Sequence, residues 1–173
     1  NTMRRILLTS IPGAAITSVK IDGVQHEFSS IKGVVEDVSE IIQNLKKVRF
    51  KLNDYGPEVI DFEIEGPCEL KAKEINNHIT QFEVLNKDMI IANITDKVKL
   101  KIELRISRGK GYVGSEKNKR TDDVIGVIPI DSIFNPVTNV TWKVEPIATS
   151  TEEQERLIME VESDGSTSPK DAI

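Results

Sequence analysis

From Val98 to Ser107 the chain reads "VKLKIELRIS", apolar at Val98, Leu100, Ile102, Leu104 and Ile106 and polar at each position between. A period of two predicts a strand with one face in a core and the other in water, the arrangement antiparallel sheets provide. The same period runs through Thr17, Val19 and Ile21 up to a turn at Asp22-Gly23. It returns in "VRFKL" and "EVIDFEI", which predict a hairpin across Asn53-Asp54-Tyr55-Gly56-Pro57. Shorter strands are expected at 68–73, 80–85, 89–94, 124–129, 140–146 and 156–163. Helical spacing is rarer. "GVVEDVSEIIQNLKK" places Val34, Val35, Val38, Ile41, Ile42 and Leu45 on one stripe, with acids early and Lys46-Lys47 late as the helix dipole prefers. Met3, Ile6, Leu7 and Ser10 predict a first helix that Ile11-Pro12-Gly13 stops, and Ser168-Pro169 with Asp171 predicts a helix start at the far end. Many strands and two or three helices give an α+β fold with a largely antiparallel sheet.

"GKGYVG" at 109–114 satisfies the spacing of a dinucleotide-binding loop. That loop needs a strand buried on both faces before it and a helix opening on it. Here the preceding strand has a wet face, and "SEKNKRTDDV" after Gly114 offers no apolar stripe for a helix to pack. The other reading is a glycine-rich turn leading into a charged loop.

Composition narrows the chemistry further. The 173 residues carry a net charge of −5, which argues against a surface that coats nucleic acid. The single cysteine, Cys68, alternates with Leu70 and Ala72 and is expected to be a small buried hydrophobe. His26 and His78 are the only histidines, and neither stands at ligand spacing from another donor, so no metal and no cofactor are expected. No nucleophile lies in an elbow of the G-x-S-x-G kind, and no apolar run suits a membrane span or signal peptide. Asp122-Asp123 and Glu152-Glu153 read as solvated loop charge, and no catalytic constellation emerges.

Several stretches together resemble the N-terminal, assembly-directing part of the bacterial RNA polymerase alpha subunit. They are "NTMRRILLTSIPGAAITSVKIDGVQHEFSSIKGVVEDVSEIIQNLK", "RGKGYVG", "IGVIPIDSIFNPV" and "DGSTSPKDAI", in the family's order. One departure is Gly114, where the family usually has proline. The resemblance implies a dimerisation subdomain made from both chain ends (1–10 and 139–173), interrupted by an inserted β-rich subdomain (11–138). It also implies a piece of a longer polypeptide, lacking flanking parts of the dimerisation subdomain and the tethered DNA-binding domain. The implied function is architectural: an alpha dimer on which the catalytic beta and beta-prime subunits assemble in the bacterial cytoplasm, with the plastid stroma as the other setting. This piece would not bind DNA directly. Arg5, Leu8 and Lys46 fall where the family contacts beta, Ile130 where it contacts beta-prime, and Met3 and Leu7 on the dimer interface. Leu8 and Ile130 have a core role as their other reading, which exposure in the isolated chain separates. The competing functions are a nucleotide-binding enzyme using "GKGYVG" and a generic β-rich interaction module. The latter would leave no apolar surface on the elements built from the chain ends.

Overall fold

The computed structural model describes residues 1–51, 56–149 and 151–173. In chain order the elements are α1 (Thr2–Thr9), β1 (Pro12–Ile21), α2 (Val38–Lys46), β2 (Phe50–Lys51), β3 (Glu58–Glu65), β4 (Cys68–Lys71), α3 (Ala72–His78), β5 (Glu83–Val84) and β6 (Ile90–Ile94). They continue with β7 (Lys99–Lys110), β8 (Tyr112–Val113), α4 (Ser115–Asn118), β9 (Ile128–Pro129), β10 (Ser132–Ile133), β11 (Val137–Pro146), β12 (Glu155–Ser163) and α5 (Pro169–Ala172). The fold is α+β, and all its strand pairs are antiparallel.

The main sheet runs β3-β7-β1-β2-β5. As its period predicts, β7 buries Leu100, Ile102, Leu104 and Ile106 and turns Lys99, Lys101 and Glu103 to water. β1 pairs with β7 from Pro12↔Lys110 to Ile21↔Ile102, with a shift of register between Ile16 and Ser18. Its other edge is shared by β2 at Ala14 and by β9 at Ser18 and Val19. Covered on both faces, β1 buries even Thr17 and Ser18. Thr17 satisfies its hydroxyl by donating to the Arg105 carbonyl oxygen, as a buried polar group requires.

α2 lays Val38, Ile41, Ile42 and Leu45 into the core beneath this sheet. The helix starts at Val38, four residues later than the periodicity suggested. The Asp37 carboxylate accepts the Glu40 N–H and the Glu40 carboxylate accepts the Asp37 N–H, a capping box that fixes the first turn. Val34 instead makes an isolated bridge to Ile94, and the Val35 N–H donates to the Asn93 carbonyl oxygen.

Other expectations are corrected. β2 and β3 do not form a hairpin, because β1 and β7 lie between them; residues 53–55 of the expected turn lie outside the described residues. The strand expected over 68–73 ends at Lys71, and Ala72–His78 is a helix that buries Ala72 and Ile75. Those two apolar positions, three apart in seven residues, are too few to announce a helix against the alternation before them. The strands expected at 80–85 and 124–129 shrink to two-residue pairings. The sequence after Gly114 forms one helical turn, α4, which buries nothing.

A second, smaller cluster lies apart from the main core in sequence. Leu7 of α1 packs with Val137 and Val140 of β11, flanked by Leu8, Ile11, Met159, Val161 and Ala172. β11 and β12 form a two-stranded ribbon from Val137↔Ser163 to Pro146↔Glu155. α1 is held on it by the Arg4 Nε, which donates to the Val140 carbonyl oxygen at 3.0 Å. The main core draws on residues between Ala14 and Ile130, whereas this cluster is built from the two ends of the chain.

Candidate interaction surface

The side chains singled out in the sequence divide by exposure. Arg5 and Met3 stand exposed on α1, and Leu8 is half-buried against the small cluster. Leu7 is buried inside its own chain, packed with Val137 and Val140 of the ribbon. Ile130 is 1 % exposed and belongs to the main core, so of its two readings the isolated chain has the core one. What that segment offers to the outside is its neighbours, half-buried Asp131 and exposed Ile133.

Lys46 does not stand alone. Its ammonium reaches the Asp131 carboxylate at 3.3 Å, and the other Asp131 oxygen accepts the Ser115 N–H at 2.7 Å. That N–H, more than the lysine, holds the Asp131 carboxyl below the usual carboxylate range against the burial that would raise it. Tyr112, whose hydroxyl faces Asp131, is pushed up, first by desolvation and then by the nearby negative charge. Thus the end of α2, the segment after Ile130 and the start of α4 meet at one carboxylate.

A second node joins this region to the chain-end elements. Arg49, just past α2, donates from Nε to Asp164 at 2.6 Å, from Nη1 to the Ile133 carbonyl oxygen at 3.0 Å and from Nη2 to the Asn135 carbonyl oxygen at 3.1 Å. The Asn135 amide donates in turn to the carbonyl oxygens of Leu8 and Val137. Asp164 is 6 % exposed in its side chain and also accepts from the Ser166 N–H and hydroxyl. A planar guanidinium with several fixed donors suits such a junction better than a lysine would. Arg49, Asp131, Asn135 and Asp164 carried no local signal as site residues, because each has a partner that joins it to a distant segment.

The glycine string is accounted for by Phe134. Gly109 sits opposite Gly13 across β1 and β7, and a Cβ on either would collide with Phe134, at 2.6 Å from its ring for Gly109 and against its carbonyl oxygen for Gly13. Gly111 adopts φ +63°, a conformation suited to glycine, and its carbonyl oxygen accepts the Phe134 N–H at 2.8 Å. Two of the three glycines therefore admit and turn around a buried phenylalanine, and this replaces the dinucleotide reading. Gly114 has φ −67°, a value proline also takes.

Among the described residues, no three His, Cys, Asp or Glu gather as a metal site, and no helix is long and apolar enough to cross a membrane. The chain-end elements are notable for what they leave bare. Met3 and Ile6 of α1 and Trp142, Val144, Leu157 and Ile158 of the ribbon are all between 37 % and 56 % exposed.

Comparison with known proteins gives these features a family. The model of the RNA polymerase Rpb3/RpoA insert domain matches residues 19–135. The DNA-directed RNA polymerase subunit alpha of Prosthecochloris aestuarii is 51 % identical over 174 residues, and that of Salinibacter ruber 47 % over 174. That of Carboxydothermus hydrogenoformans is also 47 % identical. Each alignment covers the whole of this chain and 53–55 % of the relative, so the chain spans about half the length of these relatives. With a matching insert domain and near-half identity along its whole length, the chain belongs to the family of bacterial DNA-directed RNA polymerase alpha subunits.

Proposed function

We propose that this chain forms part of a non-catalytic platform for assembling a bacterial RNA polymerase: two alpha subunits dimerise and recruit the beta and beta-prime subunits, which carry the nucleotidyl transfer. The observation that carries this reading is the apolar surface on α1 and the β11–β12 ribbon. Exposed Trp142, Val144 and Leu157 share one face of a two-stranded ribbon, and such a face is costly to hydrate and is the mark of a surface that another polypeptide covers. It also disfavours a self-sufficient β-rich module, which would leave no such surface at the chain ends.

In this reading the elements of 1–10 and 139–173 belong to a dimerisation subdomain and 11–138 to the insert. Met3 meets the second copy, with Leu7 holding α1 in place beneath it. Arg5 and Leu8 of α1 and Lys46 at the end of α2 face beta, and the segment at Ile130 faces beta-prime, through Asp131 and Ile133 where Ile130 itself is buried. The insert and the chain ends are kept in register by Arg49 and Asn135. The setting is the bacterial cytoplasm, where transcription occurs.

The test is co-purification of matched beta and beta-prime with the full-length subunit carrying Arg5→Ala. The dimer is expected to survive, since Arg5 is exposed and off the small cluster, while beta recruitment falls by at least an order of magnitude, as for an interface arginine. Recruitment unchanged in Arg5→Ala and in Leu8→Ala would remove α1 from the beta contact.

A further inference from the structure

Beside the glycine string lies an open cleft of ≈ 280 Å³ on the outer side of β7, roofed by the segment after β8. Arg105, Arg108, Lys117 and Arg120 line it together with Ser107 and Asn118, and among the described residues no acidic side chain lines it. Two acids of the covering loop face the cations from behind: Asp123 pairs with Arg105 at 3.3 Å, and Asp122 with Arg120 at 3.1 Å. Together with the Arg120 N–H these cations keep the Asp123 carboxyl low, although burial, the largest influence on it, pushes the other way. Even so, the Arg105 Nε is buried without a hydrogen-bond partner, and no partner is found for the Ser107 hydroxyl or the Lys117 ammonium among the described residues. The Arg105 Nε, buried and unsatisfied, is short of an acceptor, while the Ser107 hydroxyl and the Lys117 ammonium beside it are held by water that a carboxylate can replace.

We propose that this cleft docks an acidic segment of a partner polypeptide, with an Asp or Glu carboxylate accepting from the Arg105 Nε, the Ser107 hydroxyl and the Lys117 ammonium. The lining favours a peptide over a nucleotide. Among the described residues, Phe134 is the one aromatic ring in the wall; it is 3 % exposed and packed against Gly109, so it offers no ring face to a base. No helix long enough to bind phosphate at its N-terminus opens on the cleft, since α4 is a single turn. Pro57 and Val113 at the margin give apolar surface for the stem of a glutamate. The proposal rests on the assembly reading, since it supposes that this subunit meets other polypeptides, but it uses none of the residues assigned to beta or beta-prime.

The experiment measures fluorescence anisotropy of a labelled ten-residue peptide of alternating Glu and Ala on the full-length subunit, against the matching Gln peptide. Inorganic pyrophosphate is titrated in a separate arm. Saturable binding of the Glu peptide alone is expected, weakened about tenfold or more by Lys117→Glu and by raised salt, with a smaller loss in Ser107→Ala. Lys117 is exposed, so its reversal leaves the fold intact, checked by thermal unfolding. No binding of the Glu peptide, or equal binding by Lys117→Glu, overturns the proposal. So does saturable pyrophosphate binding at the cleft without peptide binding, which would make it a small-anion site. Beta recruitment, followed in the same proteins, is expected to be unchanged by Lys117→Glu. Its failure in the wild type would sink the assembly reading while leaving the peptide result to stand or fall separately.

Discussion

Replacing Arg49 by alanine tests whether one side chain joins the insert to the chain-end elements. The substitution removes three donors at once and strands Asp164, whose side chain is 6 % exposed, with only the Ser166 and backbone contacts left. Breaking a buried ion pair from one side costs about 3–5 kcal/mol because the remaining charge has lost its compensation. Arg49 itself is 19 % exposed, so water can enter the vacated space and soften the loss to about 2–4 kcal/mol. For a chain of this length that corresponds to a fall in Tm of roughly 5–15 °C. Urea titration read by far-UV circular dichroism and by Trp142, the single tryptophan and a residue of β11, distinguishes two outcomes. A junction predicts that the Trp142 transition moves to lower urea than the transition of the main sheet, since the ribbon loses its tie. Asp164→Asn, which keeps the acceptor oxygen, is expected to cost less than half as much. A loss below about 1 kcal/mol in Arg49→Ala, with the two signals still coincident, would refute the reasoning, because it lies within the range of an ordinary surface change.

Three further outcomes follow from local geometry. Gly109→Ala places a methyl group 2.6 Å from the ring of buried Phe134 and is expected to destabilise by about 1–3 kcal/mol in chemical denaturation, as overpacked cores do. Gly114→Pro, at φ −67° with open space around the Cβ position, is expected to be neutral or to raise stability by about 0.4–1 kcal/mol through the unfolded chain; a clear loss of Tm would contradict the backbone described for it. Asp131 has its carboxyl lowered in the fold, so its contribution is complete above its ordinary pKa and is lost as pH falls through the depressed value. The stability difference between wild type and Asp131→Asn should therefore be constant near neutrality, begin to shrink only as the pH drops to the ordinary aspartate range of about 3.9, and vanish below the depressed folded-state value; a difference that grows on acidification would reverse the assigned sign.

What the sequence determined by itself is what depends on near neighbours along the chain. Strict alternation announced β7 and its buried face, because a strand's side chains choose sides by residue parity. The spacing of Val38, Ile41, Ile42 and Leu45 announced α2, and Ser168-Pro169 the start of α5, whose first turn the Ser168 hydroxyl caps by accepting the Lys170 N–H. The longer motifs carried the family, since they extend over many positions in a fixed order. The tertiary structure alone decided who pairs with whom. β2 joins β1 and β5 rather than β3, and Ile130 turns into the core while Asp131 turns to Lys46. The glycines at 109 and 111 serve Phe134, more than twenty residues downstream, and Arg49 finds Asp164 across 115 positions. Such contacts leave no period and no local composition to read, because their energy comes from burial and donor geometry that exist only once distant segments have been brought together.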